Sequence, residues 1–347
     1  MIFIGIDTHK ATLVASAIDT PGREVSAGTF PNDVQGHTAL VAWVDEQGPE
    51  RRFGMEGSGS YGASLARRLV STGESVVEVP ANLTERERRH LRRAGKTDAG
   101  DALAIARVVL REPGLGPVPM PGLSEDLKLL VDAREQRIAE RTRVLDRLHA
   151  QLVVIAPGYE RTVPNLSAAR HRVTVARLLE AQGGVRAELT RADLARAGEL
   201  DTECLALERR VRRLVRLSGS SLPTIVGVAA ITAAKIMGET GDPRRFRSSP
   251  AFAAMSGTAP IPASSGQTSR HRLNRGGNRQ LNRALHTIAL TQYRTDQRAQ
   301  AYIEKRMSEG KSWLEAMRCL KRHLANVVLR TMLADASIRS SSVGLTT

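Results

Sequence analysis

The first apolar run of the chain, Met1-Ile2-Phe3-Ile4-Gly5-Ile6, stops at Asp7. A short, continuous apolar run of this kind predicts a buried strand over residues 2–7. Residues 13–18 and 25–30 predict two further strands, joined through the turn signal Thr20-Pro21-Gly22. Leu40, Val41 and Val44 share one face of a helix predicted over 34–44. Residues 52–56 read as a fourth strand, Gly57-Ser58-Gly59-Ser60 as a tight turn, and 61–69 as a helix. A fifth strand over 75–79 is stopped by Pro80. Asn82 is expected to cap a basic helix reaching about Arg93, and Thr97 to cap a helix reaching Leu110. Strands that first meander and then alternate with helices imply a mixed α/β sheet.

The pattern then changes. Residues 113–122 are rich in Pro and Gly and read as a linker. A long helix is predicted over 124–155, where Leu127, Leu130, Ile138, Leu145, Leu148, Leu152 and Ile155 recur every three to four residues. Arg134 and Arg141 interrupt this stripe, and Pro157-Gly158 ends it. A second helical stretch covers 168–217, with breaks near Gly183-Gly184 and Gly198. Two long striped helices suit an antiparallel coiled coil or a dimer arm, and equally suit ordinary packing within one subunit. Residues 225–236 resemble half of a helix-hairpin-helix, in which a glycine turn, here Gly227, offers backbone N–H groups to a DNA phosphate. Ala229 stands where that motif often has a second glycine. A short helix over 252–256 ends at Gly257, and 259–266 is a loop of small residues. Residues 311–335 form a last amphipathic helix, and the tail beyond Ser337 reads as disordered. The class is therefore α/β plus all-α, divided as 1–112, a linker over 113–123, a helical arm over 124–217, a mostly helical C-terminal domain over 218–336 and a tail over 337–347.

Charge is distributed unevenly over the 347 residues. Residues 1–112 hold 14 basic and 15 acidic side chains, whereas residues 218–347 hold 19 and 7. The positive field of the C-terminal third favours a polyanion, nucleic acid first. Arg270, Arg272, Arg275, Arg279 and Arg283 follow the small-residue loop, together with His271. Arg279 and Arg283 stand four apart, on one helical face, after Gly276-Gly277-Asn278 and without nearby acids in sequence. Aromatic residues are 3% of the chain, so base stacking is a minor mode. Two isolated cysteines, Cys204 and Cys319, form no zinc-ligand pattern. No apolar run approaches 18 residues, and the N-terminus starts a strand rather than a signal peptide. The expected setting is the cytoplasm and not a membrane.

Four carboxylates carry the candidate chemistry: Asp7 and Glu56 at strand ends, and Asp98 and Asp101 three apart at a helix start. Converging carboxylates repel unless a cation holds them, and hard divalent cations take oxygen ligands. Beside a basic surface, such a cluster points to metal-assisted phosphodiester chemistry. Taken singly, each acid is more often a solvated strand end or helix cap, and it is the ordered set of four that points to chemistry.

Three motifs in order, Gly5-Ile6-Asp7-Thr8-His9-Lys10, Glu56-Gly57-Ser58-Gly59-Ser60-Tyr61 and Lys96-Thr97-Asp98-Ala99-Gly100-Asp101-Ala102, resemble those of the DEDD transposases of the insertion-sequence one-ten type. Gly227, Gly241-Asp242-Pro243, Phe246, Ser265-Gly266 and the stretch 276–285 extend the resemblance over residues 2–335. Ala229, and Gly-Ser after Glu56 in place of the commoner Ala-Thr, depart from the family pattern without removing a chemical group. The resemblance implies an N-terminal RuvC-like (RNase H-like) domain, a coiled-coil arm and a C-terminal transposase domain. It implies that Asp7, Glu56, Asp98 and Asp101 hold Mg²⁺ or Mn²⁺. It also implies a nucleophilic serine that maps to Ser265, with Ser264 and Ser256 nearby, and a covalent protein–DNA ester. Its implied partners are donor and target DNA, a structured bridge RNA, and further copies of the chain in a dimer or tetramer. Two other functions fit the residues: a hydrolytic four-way-junction nuclease with the same acids, and a non-catalytic nucleic-acid-binding protein whose acids are structural.

Overall fold

The computed structural model describes residues 1–90, 97–118, 120–263, 271–272, 274 and 276–343. They divide into two compact units, Met1–Gly122 with Asp242–Ala251, and Leu123–Gly241 with Phe252–Thr347.

The first unit is built on β1 (Ile2–Thr8), β2 (Thr12–Ile18) and β3 (Glu24–Pro31), followed by α1 (Val34–Asp45), β4 (Arg51–Met55), α2 (Ala63–Ser71), β5 (Val76–Glu78), α3 (Ala81–His90) and α4 (Asp98–Arg111). The sheet order is β3-β2-β1-β4-β5. The meander β1-β2-β3 is antiparallel, and β4 and β5 join parallel through helical crossovers. This is the mixed α/β sheet expected from the sequence, and it fits a RuvC-like fold. Side chains alternate across each strand. Ile4 and Ile6 face a core shared with Leu40 and Val44 of α1 and Leu65 and Leu69 of α2. Phe3 faces the opposite core, with Leu103, Ile105 and Val109 of α4. Asp7, in phase with Phe3 and Gly5, therefore lies on the α4 side of the sheet.

Two glycines let α4 approach. Gly5 and Gly54 stand opposite each other in the β1–β4 pair. A Cβ on Gly5 would come within 2.1 Å of the Ala102 carbonyl oxygen and 2.3 Å of the Ala106 nitrogen. On Gly54 it would meet Val109 at 2.2 Å. Backbone of a helix cannot yield as a side-chain tip can. Gly5→Ala should therefore lever α4 off the sheet and cost about 3 kcal/mol, near the upper end for overpacking. A large drop in the thermal midpoint is the expected result; an unchanged midpoint would contradict this packing.

Several local expectations need correction. The basic helix starts at Ala81, directly after Pro80, so Asn82 lies in its first turn and not at its cap. The Pro80 carbonyl accepts from the N–H groups of Leu83 and Thr84, which removes the need for a side-chain cap there. The Pro/Gly-rich stretch after α4 is in part an edge to the sheet: Glu78 N–H donates to the Gly116 carbonyl at 2.9 Å, and Val118 is buried against the core.

The second unit is mostly helical: α5 (Leu123–Ile155), α6 (Ala169–Glu180), α7 (Gly184–Leu217), α8 (Ala230–Thr240), the part of α9 (Ser249–Met255) from Phe252 on, β6 (Ile261–Pro262), β7 (His271–Arg272), α10 (Arg279–Thr295), α11 (Gln297–Ser308) and α12 (Trp313–Val343). The leucine stripe of α5 packs within the chain, with Leu145, Leu148 and Leu152 against Val175 and Leu179 of α6 and Ala197 and Leu200 of α7. The arginines that interrupt the stripe meet acids on α7: Arg134 with Glu208 at 3.3 Å, and Arg141 with Asp201 at 2.5 Å. Arg137–Glu203 and Arg147–Asp193 continue the ladder, so the two helices run antiparallel. Each such pair contributes little stability, about 0–1 kcal/mol, but together they fix register. Gly198 does not break α7. One interior glycine costs only about 1 kcal/mol, less than the packing on either side provides. At the other end, α12 continues through Val343, past the Ser337 boundary taken for the tail. Ser337 Oγ donates to the Leu333 carbonyl at 3.0 Å, in continuing helical geometry. No helix among the described residues is long and apolar enough to cross a membrane.

Candidate active site

Asp7 lies in the last turn of β1, and β1 pairs with β4 so that Ile6 is opposite Met55. That register brings Glu56 next to Asp7 along the C-terminal edge of the sheet. Thr8 reinforces the juxtaposition: its hydroxyl donates to the Glu56 backbone carbonyl at 3.0 Å. Asp98 and Asp101 are delivered by α4. Its N-terminus is capped by Thr97, whose Oγ1 accepts from Gly100 N–H at 3.1 Å, as expected. One helical turn before the Gly5 contact at Ala102 is Asp98, and two strand residues beyond Gly5 is Asp7. Both steps span roughly 6 Å, so Asp98 is placed over Asp7.

The resulting group includes a residue to which the sequence reading gave no role. The donor atoms of Asp7, His9 and Asp98 all lie within 4.8 Å of one another. His9 Nε2 is 3.1 Å from Asp7 Oδ2 and 3.3 Å from Asp98 Oδ1. Asp101 is buried and ion-pairs with Arg88 of α3 at 2.7 Å. Glu56 contributes its charge to the neighbourhood of Arg88 and Glu78, but its carboxylate is outside the three-donor group. Thus Asp7 and Asp98 converge directly, Asp101 is adjacent with an arginine partner, and Glu56 sits at the next strand end. His9 was detectable by period: it is two residues beyond Asp7, on the same side of an extended chain. Nothing in the helical spacing singled out Arg88 from its basic neighbours.

Burial holds the Asp7 carboxyl above its ordinary range; His9 opposes this, and the negative charges of Asp101 and Asp98 push the same way. Such a site favours positive charge. Two carboxylates and an imidazole, converging at these distances with Asp101 beside them, have the donor chemistry of a divalent-cation site.

Glu78, at the end of β5, supports the Glu56 turn. Its carboxylate accepts the Ser58 hydroxyl and backbone N–H groups of Gly57 and Ser58. Burial nevertheless raises its carboxyl above the usual range, and Glu56 adds to the shift. A raised carboxyl favours the protonated folded form, so its contribution is full at low pH and is lost as pH rises through the folded value. Glu78→Gln keeps an acceptor for the turn and removes the charge. The variant should therefore melt above wild type near pH 8, with the gap closing toward about pH 4, where the wild-type carboxyl is neutral in both states. A gap that widens on acidification would contradict the assignment.

In the second unit, the sequence-predicted nucleic-acid residues fall as follows. Gly227 adopts a left-handed φ of 84°, and a Cβ there would meet Thr291 at 3.1 Å and the Ile288 carbonyl at 3.2 Å. Its turn is thus packed on α10, and Gln292 Nε2 donates to the Val226 carbonyl at 2.8 Å. Arg272 and Arg279 are exposed. Arg283 is 70% exposed, and although its sequence neighbours are not acidic, Glu135 of α5 comes to 4.0 Å in space. The acid was invisible in sequence because it is over a hundred residues away. Arg270, Arg275, Ser264 and Ser265 lie outside the described residues. Ser256 is fully buried and shares a 2.9 Å hydrogen bond with Thr258, which fits a structural serine.

Both flanks of the serine segment are anchored. β6 and β7 pair with Pro262 opposite His271. A Cβ on Gly277 would meet Gly257 N at 2.3 Å, so the two turns touch through backbone. Asn282 Nδ2 donates to the carbonyls of Ser256 and Gly257 at 3.0 Å, and the buried Lys321 donates to Asn282 Oδ1 at 2.9 Å. Asn278 caps α10 through Leu281 N–H at 2.8 Å and donates to Glu239 at 2.6 Å. The start of the basic helix is therefore fixed on α8.

Comparison with known proteins assigns both regions to transposase families. Residues 4–157 match a family model described as a transposase of the DEDD, IS110 type. Residues 219–304 match the transposase IS116/IS110/IS902 family. The chain is 26% identical to an insertion element IS116 protein of Streptomyces clavuligerus, over 96% of this chain and 95% of that one. It is 25% identical to an insertion element IS900 protein of Mycobacterium paratuberculosis, over 97% and 96%. It is 28% identical to a transposase-like protein, y4pF/y4sB, of Sinorhizobium fredii, over 98% and 86%. With an N-terminal acidic sheet edge and a C-terminal basic unit matched in order, the chain belongs to the IS110 family of transposases.

Proposed function

We propose that this transposase cuts and rejoins DNA through a covalent ester on Ser265, with Asp7, Glu56, Asp98 and Asp101 holding a divalent cation, Mg²⁺ or Mn²⁺, and with a structured RNA selecting the DNA. The observation that carries the acidic part is the convergence of Asp7, Asp98 and Asp101 at one sheet edge, enforced by the Gly5–α4 contact. When bound, the cation polarises the scissile phosphate and stabilises the leaving oxygen. The protein's own groups do the rest. Asp7 and Asp98 present carboxylate oxygens from two different elements, so their spacing is set by packing and not by one flexible loop. Arg88 pairs with the Asp101 carboxylate at 2.7 Å and orients it. The Ser265 hydroxyl attacks phosphorus: a phosphorus–Oγ bond forms, the bond to the leaving sugar oxygen breaks, and the serine proton is transferred away as the leaving oxygen gains one. The phosphoester on serine conserves the bond for rejoining.

Arg272, Arg279 and Arg283, with Arg270 and Arg275, supply phosphate contacts, and the Gly227 turn offers backbone N–H groups in the manner of a helix-hairpin-helix. These contacts carry no base sequence, which supports delegation of sequence choice to pairing with an RNA. The α5–α7 pair, arranged as a coiled-coil arm, would join copies of the chain. Expression of the gene with its native flanking DNA, followed by purification and sequencing of bound RNA, tests the guided part. One discrete structured RNA from the flank is the expected result. Bulk cellular RNA alone would leave a protein that selects DNA by structure and would overturn RNA guidance.

A further inference from the structure

His9 sits where a ligand would sit. Ligand atoms on adjacent octahedral positions about 2.1 Å from an ion stand roughly 3 Å apart. His9 Nε2 is 3.1 Å from one oxygen of Asp7 and 3.3 Å from one oxygen of Asp98, separations that would suit neighbouring ligands of one ion. The ring is aimed by its backbone. His9 N–H donates to the Thr12 carbonyl at 2.9 Å, and its carbonyl accepts from Asn32 Nδ2 at 2.7 Å. Asn32 is in turn held by the Tyr61 carbonyl at 3.0 Å and by His37 at 2.9 Å. Residues that fix a ligand's backbone in this way limit how far the ring can swing. The side chain is 42% exposed, which leaves the outer face of the group open to a phosphate.

We infer that His9 is a direct nitrogen ligand of the acidic site, and that the site consequently prefers Mn²⁺ to Mg²⁺. The inference rests on Asp7 and Asp98 being metal ligands. Magnesium strongly favours oxygen donors and sheds its waters reluctantly, whereas an imidazole suits the transition ions. A purely oxygen site gives a smaller bias. The alternative role for His9 is a hydrogen-bond donor that orients the two carboxylates without touching the ion.

The test is Mn²⁺ binding by the full chain, freed of nucleic acid, read by electron paramagnetic resonance. Free and bound Mn²⁺ give the affinity, competition with Mg²⁺ gives the preference, and spin-echo modulation reports directly bound ¹⁴N. Wild type should show ¹⁴N modulation and a Mn²⁺ preference of at least about tenfold. His9→Gln places an amide near the Nε2 position; it should still bind Mn²⁺ but lose the modulation and most of the preference. His9→Ala should do the same with weaker binding. Mn²⁺ bound by wild type without ¹⁴N modulation, and lost in Asp7→Asn, would overturn the inference while sparing the carboxylate site. Failure of wild type to bind Mn²⁺ at all would overturn both.

Discussion

Asp7→Asn should abolish strand cleavage while nucleic-acid binding persists. Asparagine preserves volume and hydrogen bonding at the strand end but removes the charge at the centre of the acidic group. Asp7 feels both Asp98 and Asp101 and is also within reach of His9. Loss of a preorganised electrostatic element of this kind lowers rates by on the order of a thousand-fold. The basic residues proposed to contact phosphate belong to the other unit and are unchanged in this variant, so a mobility-shift assay should give wild-type retention. Burial raises the Asp7 carboxyl, so the neutral variant should also fold at least as well as wild type near neutral pH. Asp101→Asn should behave similarly in cleavage, but with a stability loss, because the Arg88 guanidinium loses its charged partner. Full cleavage by both variants would remove the carboxylates from the mechanism.

Ser265→Ala should eliminate the protein–DNA adduct altogether. A missing hydroxyl is not partly compensated, since no other group can form the same ester at that register. Ser256 cannot substitute: it is buried and its hydroxyl is engaged with Thr258. Ser264→Ala serves as the register control and should retain the adduct. If the adduct instead survives in Ser265→Ala and vanishes in Ser264→Ala, the nucleophile is one residue earlier. Both variants should melt like wild type, because the flanks are secured by β6–β7 pairing and by the Asn282–Lys321 contacts.

The sheet was legible because its strands are short apolar runs with clear punctuation, and β1 through β5 fall within a residue or two of their expected bounds. Thr97 was legible as a cap because capping is a local event. What required coordinates was everything decided across the fold. The mutual approach of Asp7 and Asp98 depends on Gly5 lacking a Cβ where α4 crosses, a constraint without any periodic signal. The arginines in the α5 stripe looked like flaws in an apolar seam; they are the polar rungs that set the register with α7. His9 was in plain view within the first motif, two residues past Asp7, but only the position of Asp98 gives it a purpose. Ser337 looked like the start of a polar tail, yet helix propagation carries the chain on to Val343.

The most direct measurement of the central claim is a denaturing gel of labelled DNA carrying the element's ends, incubated with the RNA-loaded protein and Mn²⁺ or Mg²⁺. DNA shifted into a slow band that collapses on protease digestion, present in wild type and absent in Asp7→Asn and Ser265→Ala, is the predicted result. Cut DNA with free ends and no protease-sensitive band would contradict it, and would assign the acidic site to hydrolysis by water.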